Sequence, residues 1–125
     1  MTPEVYQRND NLYGWRLTAA NGEIVTSSKG YPTQAAARVG ASRMQTVALS
    51  ATSPGVKVAA GKPSFHILPS NNGQWFWRLI DGDGVTNIAH GETYTTKQGA
   101  DRGVQDFVKN VLLAVIKEMA WGRKP

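Results

Sequence analysis

One short stretch occurs twice in this sequence, and it constrains the fold more than any other feature. The letters W-R-L at residues 15–17 are followed by Asn-Gly at residues 21–22, and W-R-L at residues 77–79 is followed by Asp-Gly at residues 83–84, at the same spacing. A strand-like run that leads into Asn-Gly or Asp-Gly predicts a hairpin, because a two-residue type I′ turn needs positive φ at both central residues. The sequence therefore predicts a duplicated hairpin.

Each hairpin belongs to a longer repeat. Apolar and polar residues alternate around both W-R-L triplets with the period of a half-buried strand, and shorter strand-like runs precede them at residues 4–8 and 65–68. Helix-forming residues follow the first hairpin at residues 34–48, with Thr33 as N-cap, and follow the second from about residue 95 or 96. We therefore predict an α+β fold of two pseudo-symmetric β-β-β-α units, in which each antiparallel three-stranded sheet packs on a helix.

The repeats divide the chain into three parts. Residues 1–49 form the first repeat, residues 50–64 form a linker that contains Ser-Pro-Gly and Gly-Lys-Pro, and residues 65–125 form the second repeat with an extended C-terminal helix. Copy two has an extra residue after its turn, and we expect a bulge or longer loop near residues 90–92 to absorb it. The expected cross-strand pairs are Leu17 with Thr26, Leu79 with Ile88, and Trp77 with His90.

Two glycines occupy equivalent positions inside the predicted helices, at Gly40 and Gly103. Glycine inside a helix costs about 1 kcal/mol relative to alanine. Its repetition therefore indicates that each helix lies close against its own sheet.

These features resemble the YegP-like family, small bacterial proteins of unknown function built from tandem β-β-β-α repeats. The matching text of copy one is W-R-L-T-A-A-N-G-E-I-V-T-S-S-K-G-Y at residues 15–31, followed by Ala35, Ala37 and Gly40. In copy two it is W-R-L-I-D-G-D-G at residues 77–84, followed by Tyr94, Lys97, Ala100 and Gly103. The likeness covers residues 3–48 and 65–108, and the tail beyond residue 108 is expected to be an addition to the plain repeat. The resemblance implies a fold and supplies no catalytic residue.

Composition limits the class of protein. The 125 residues carry a formal net charge of +5 and contain no Cys. Disulfides, thiol nucleophiles and thiolate metal sites are therefore excluded, and no run of basic residues forms the stripe typical of a nucleic-acid binder. The start of the sequence lacks a signal-peptide pattern, and the longest apolar run, residues 111–116, is much shorter than the ~20 residues of a membrane span. We expect a soluble, cytoplasmic protein without a membrane partner.

Residues for catalysis or metal binding are scarce. The two histidines, His66 and His90, stand in no motif with a carboxylate, whereas general acid–base chemistry and metal sites need grouped side chains. Asp81 and Asp83 lack the other ligands of a calcium loop, so turn chemistry explains them better. We predict no catalytic residue, no metal site and no cofactor.

The strand alternation places Arg16 and Arg78 on the sheet face opposite the tryptophans. Phe76 and Ile80 flank Arg78 on that face, where copy one has smaller residues. Two apolar residues around an arginine indicate a covered or partner-facing surface. The alternatives are burial against the rest of the chain and, for the arginines, ordinary pairing with nearby acids.

The tail departs most from a plain repeat, because every residue from 111 to 116 is apolar. A helix that covers one sheet needs only an apolar stripe, so apolar residues outside the stripe need a further partner. We interpret the tail as a homodimerisation helix, with burial inside the monomer as the alternative. The predicted self-association residues are Leu112, Leu113, Ile116, Met119 and Trp121.

The sequence thus predicts a non-catalytic binding module that self-associates through its C-terminal helix. The expected partner is a second copy of the chain, in a homodimer, or another protein. Its expected working surface is the sheet face around Arg16, Phe76, Arg78 and Ile80. The alternative is a nucleic-acid-binding protein that uses the same face, with phosphate contacts from Lys29, Arg38 and Arg43.

Overall fold

A computed structural model describes residues 2–19 and 21–111, and the backbone of residues 117–118. It confirms the two β-β-β-α units. The first unit contains β1 (Thr2–Gln7), β2 (Tyr13–Thr18), β3 (Ile24–Ser27) and α1 (Gln34–Ser50). The second contains β4 (Ser64–Pro69), β5 (Trp75–Ile80), β6 (Asn87–His90) and α2 (Lys97–Val111), and β7 (Lys117–Glu118) follows.

The central strand of each sheet, β2 or β5, carries the W-R-L triplet. Antiparallel neighbours flank it on both sides, in the orders β3-β2-β1 and β4-β5-β6. Trp15 and Trp77 are buried in equivalent positions and pack with Leu17 and Leu79 in the hydrophobic core. Alternation along the strands therefore puts the tryptophans toward the helices and the arginines toward the outer face, as predicted.

The first hairpin has the predicted Leu17–Thr26 pair, but the predicted two-residue turn is wrong. The Gly22 amide donates to the Ala19 carbonyl at 2.9 Å, and the Ala19 amide donates to the Glu23 carbonyl at 2.9 Å. Gly22 has φ of +86°, while Asn21 is not among the described residues with positive φ. The loop therefore has three residues and ends in a left-handed glycine, which is another common way to close a hairpin.

The second hairpin absorbs the extra residue within its turn, and the predicted bulge near residues 90–92 is wrong. The Asp81 amide donates to the Thr86 carbonyl at 2.9 Å, so this loop is one residue longer than that of copy one. His90 consequently pairs with Arg78, and Leu79 pairs with Ala89. A shift of one residue changes which face a side chain occupies, so His90 lies with Arg78 on the outer face and not opposite Trp77.

Both helices begin where the sequence predicted. The Thr33 hydroxyl accepts from the Ala36 amide at 3.1 Å, and the Thr96 hydroxyl accepts from the Gly99 amide at 2.9 Å. These side chains satisfy amides that have no partner within the helix. The buried residues of the two helices are Ala37, Ala41, Met44, Val47 and Ala48 in α1, and Ala100, Gly103, Val104, Phe107 and Val111 in α2.

The repeated helix glycines make room for a tyrosine of their own unit. A Cβ atom at Gly40 would overlap the Tyr31 hydroxyl, and one at Gly103 would overlap the Tyr94 hydroxyl. Each tyrosine is held by two backbone hydrogen bonds at the end of its central strand, between Tyr31 and Tyr13 and between Tyr94 and Trp75. The close approach inferred from the glycines thus occurs, with the tyrosine ring between helix and sheet.

The end of the chain differs from the predicted extended helix. Lys117–Glu118 form β7, which pairs in parallel with β1 through Glu4 and Val5. The helix predicted through residue 119 is therefore wrong at these two residues. Pairing is favourable there because the edge of β1 offers backbone donors and acceptors that a neighbouring segment can use. The predicted self-association residues Leu112, Leu113, Ile116, Met119 and Trp121 lie outside the described residues.

The two units contact each other along β3, β6 and the helices. The His90 amide donates to the Thr26 hydroxyl at 3.0 Å, and the Gln45 side-chain amide donates to the Val111 carbonyl at 2.8 Å. Arg43 and Asp81 form an ion pair at 3.0 Å. The first sheet, the second sheet and both helices therefore form one connected body. Within the described residues, no helix is long and apolar enough to cross a membrane.

Candidate functional site

On the outer face of the first sheet, the charge of Arg16 is paired with an acid of the same sheet. Arg16 lies directly across β1 and β2 from Glu4, and its Nε donates to the Glu4 carboxylate at 3.1 Å. Its guanidinium also lies 4.3 Å from the centroid of the Tyr6 ring. Arg16 is therefore engaged by an acid and an aromatic ring of its own sheet.

The equivalent arginine of the second sheet has different neighbours. Arg78 lies between His66 on β4 and His90 on β6, so a histidine stands where the first sheet has Glu4. The Arg78 guanidinium lies 5.5 Å from the centroid of the Phe76 ring. Its Nε is buried and has no hydrogen-bond partner among the described residues. We call His66, Phe76, Arg78, Ile80 and His90 the Arg78 face.

A groove of about 580 Å³ runs beside the Arg78 face. One wall comes from Phe76, Arg78 and His90, and the other from the β2–β3 hairpin at residues 23–25. Glu23 and Glu92 line the same groove. A half-buried cation thus lies in a cleft whose lining includes both apolar side chains and two carboxylates.

The sequence-predicted residues of the binding face fall in four places. Phe76, Arg78 and Ile80 share the outer face of the second sheet, whereas Arg16 lies on the outer face of the first. Lys29 and Arg43 line a cavity between the units, and Arg38 is exposed on α1. The fold does not bring the proposed phosphate contacts onto the Arg78 face.

The aspartates of the second hairpin act as turn residues. The Asp83 carboxylate accepts from the Val85 amide at 2.9 Å, the Thr86 amide at 2.8 Å and the Thr86 hydroxyl. These hydrogen bonds, the Thr86 hydroxyl first, lower the pKa of Asp83 to about 2. Asp81 accepts from the Gly82 amide at 2.7 Å and pairs with Arg43.

The remaining titratable groups do not gather into a metal site. In the parts of the chain that the structure describes, no three His, Asp or Glu side chains lie close enough to hold an ion.

Burial raises the pKa of the Tyr94 hydroxyl, and its contact with the Trp77 indole opposes that rise. The contact falls short of a regular hydrogen bond, since the Trp77 Nε1 has no such partner among the described residues.

Sequence reasoning missed the two histidines beside Arg78. The predicted register placed His90 opposite Trp77, on the buried face, because it assumed a two-residue turn. A signal for His66 was present, since it occupies in copy two the position that Glu4 occupies in copy one. The loss of that acid marks the second sheet as the unusual copy.

Comparison with known proteins gives a family. A family model described as "Domain of unknown function (DUF1508)" matches residues 9–53 and 70–118. The second match continues past residue 108, so the expectation that the whole tail is an addition to the repeat is wrong. The chain is also similar to the UPF0339 protein YegP of Yersinia pestis, with 26% identity over 93% of each chain. A UPF0339 protein of Mannheimia succiniciproducens is 24% identical over 93% of this chain and 92% of its own.

Two solved structures share the fold. The solution NMR structure of yegP from E. coli, a protein of unknown function, has a TM-score of 0.60 and 18% identity, and the match covers 94% of this chain and 90% of that one. The solution NMR structure of the UPF0339 protein SO3888 from Shewanella oneidensis has a TM-score of 0.62 and 19% identity, with coverage of 94% and 89%. The chain therefore belongs to the YegP-like DUF1508 family of proteins of unknown function, and it carries the matched domain twice.

Proposed function

We propose that this protein is a non-catalytic binding module whose Arg78 face binds a protein partner. The partner segment presents a carboxylate among apolar side chains. The observation that carries the proposal is the contrast between the two equivalent arginines, because Arg16 is paired with Glu4 and Arg78 has histidines in the same row.

The energetics of a half-buried guanidinium support a carboxylate partner. A charge taken out of water is costly unless a group of opposite charge or a hydrogen-bond acceptor compensates it. The Phe76 ring lies beside the Arg78 guanidinium, and the buried Arg78 Nε has no hydrogen-bond partner among the described residues. An acid from a partner would pair with the part of the Arg78 side chain that lines the groove, and its apolar neighbours would pack on Phe76 and Ile80.

The charge of the groove favours a protein over a nucleic acid. Polyanion binding depends on several cations that contact successive phosphates. Among the described residues that line the groove, Arg78 is the one Arg or Lys, and Glu23 and Glu92 lie beside it. These two carboxylates would repel the successive charges of a phosphate backbone. A protein segment can instead place a single carboxylate at Arg78 and basic or neutral polar groups at Glu23 and Glu92.

The absence of catalysis is part of the proposal. The Ser64 hydroxyl lies 2.8 Å from His66 Nε2, a distance that a nucleophile and its base would also have. Ser64, however, is only 4% exposed, so its oxygen has little access to a substrate. This pair is better explained as a buried hydroxyl satisfied by a strand neighbour.

Site-specific photo-crosslinking tests the proposal. A photoreactive residue replaces Ile80 in one variant and Thr18, the equivalent position of the first sheet, in the other, and each is irradiated in native lysate. We expect a defined protein adduct from position 80, absent from position 18. Arg78→Gln should remove the adduct, and the matched Arg16→Gln should leave it.

Three results would contradict this function. Equal adducts from both positions, or no loss with Arg78→Gln, would show that the Arg78 face does not select the partner. Adducts to RNA or DNA that disappear at high salt would favour the nucleic-acid alternative.

A further inference from the structure

A second candidate site lies away from the Arg78 face, in a cavity of about 350 Å³ between the two units. Its walls come from α1 and the segment that precedes it, and from the β5–β6 hairpin of the other unit. We propose that this interunit cavity binds a small organic molecule with an apolar body and one carboxylate. The proposal does not depend on the function of the Arg78 face.

The floor of the interunit cavity is apolar. Trp15, Met44 and Val47 line it from the first unit, and Ile88 lines it from the second. The volume falls within the roughly 300–1,000 Å³ of ordinary small-molecule sites, which combine apolar walls with a few polar groups. An apolar ligand body therefore has a matching surface.

The polar groups of the interunit cavity favour an anion. Lys29 and Arg43 line it together with one carboxylate, that of Asp81, so the charged side chains of its described lining carry a net charge of +1. Lys29 Nζ lies 5.5 Å from the centroid of the Tyr31 ring. One ligand carboxylate would neutralise this charge, and charge-assisted hydrogen bonds are the strong ones.

The Arg43–Asp81 ion pair leaves room for such a ligand. Its N···O distance is 3.0 Å, but the Arg43 side chain is 61% exposed. Exposed ion pairs contribute little to stability, and a guanidinium has five N–H donors. Arg43 can therefore bind a second carboxylate while it keeps Asp81.

The second repeat provides an internal comparison with opposite charges. Its corresponding cleft, of about 250 Å³, is lined by Glu92 and Asp106 at the positions of Lys29 and Arg43, and also by Arg102. Phe107 replaces Met44 there, and its ring lies 4.7 Å from that of Trp77. The charged lining is therefore net −1 in this cleft and net +1 in the interunit cavity, so we expect an anion to prefer the interunit cavity.

Indole N–H resonances provide a direct test. The probes are benzoate and octanoate, with benzamide and octanamide as neutral counterparts, titrated into the full ¹⁵N-labelled chain. The chain has four tryptophans, and Trp15→Phe and Trp77→Phe assign the indole signals of these two residues. We expect both acids to shift the Trp15 signal saturably and leave the Trp77 signal in place, and the amides to bind at least about tenfold more weakly, as one charge-assisted interaction is lost.

A matched pair of charge variants completes the test. Lys29→Gln should weaken acid binding about tenfold. Lys97→Gln should not change it, although Lys97 Nζ likewise lies over an aromatic ring, 5.7 Å from Trp75. The proposal is overturned if the Trp15 signal does not shift, if amides or inorganic phosphate bind as tightly as the acids, or if both lysine variants weaken binding equally.

Discussion

At the scale of single residues, Gly40 and Gly103 have the clearest structural reason. Both are helical positions where the intrinsic preference favours alanine by about 1 kcal/mol. A Cβ atom would nevertheless overlap the hydroxyl and ring carbon of Tyr31 or Tyr94. The tyrosine that ends each sheet therefore dictates the glycine in the following helix.

This contact predicts the sign of a substitution. Gly40→Ala should lower the free energy of unfolding, because overpacking costs about 1–3 kcal/mol and the gain in helix preference is smaller or comparable. In a Tyr31→Phe background the same change should cost less, since the nearest atom is gone. Urea unfolding of the four proteins in this cycle measures the difference. If Gly40→Ala raises the free energy of unfolding equally in both backgrounds, the contact with Tyr31 does not affect stability.

At the scale of elements, sequence patterns predict strands and helices better than loops. Alternation around the W-R-L triplets correctly places Phe76, Arg78 and Ile80 on one outer face, and Thr33 correctly marks the start of α1. The predicted loop lengths are wrong because Asn-Gly and Asp-Gly are compatible with turns of two, three or four residues. Tertiary packing determines which of these lengths forms. The error then moves His90 to the wrong face.

The position of the extra residue in copy two predicts the outcome of two deletions. Val85 is 81% exposed in the hairpin loop, and its removal would restore the loop length of copy one. We expect this deletion to lower the free energy of unfolding only modestly, because the turn loses the hydrogen bond from the Val85 amide to Asp83 but no buried side chain is lost.

Deletion of Gly91 is the comparison, because the sequence placed the extra residue near it. Gly91 is buried, and a Cβ there would overlap the Trp77 indole. Its loss would also shift Tyr94 out of register, so we expect a cost on the order of 2 kcal/mol or more. Urea unfolding compares the two proteins, and equal costs would contradict the observed register.

At the scale of the whole molecule, the relation between the repeats could not be predicted from the sequence. Lys29 and Arg43 were assigned to a sheet face, but they lie in the interunit cavity. Contacts such as Thr26 with His90 and Gln45 with Val111 join residues far apart in the chain. Periodicity describes one element at a time, so it contains no information about how two sheets meet.

Self-association through Leu112, Leu113 and Ile116 stays a prediction at this scale. These apolar residues should find partners in a second chain, so light scattering should give the mass of a dimer at micromolar concentration. Leu113→Ser with Ile116→Ser should give a monomer, and the matched exposed change Val39→Ser on α1 should leave the dimer. A monomeric parent protein would contradict the prediction.

One edge of each sheet, at β1 and at β4, gains a neighbouring segment. β7 runs along β1 at Glu4 and Val5, and Thr52 exchanges backbone hydrogen bonds with both residues that flank Ser64 at the start of β4. At those points the backbone groups of the edge strand are already paired, so a foreign chain cannot add to the sheet there. Unpaired edge strands are the sites at which fibres begin to form. The segments that follow the two helices thus limit the addition of further strands on one side of each sheet.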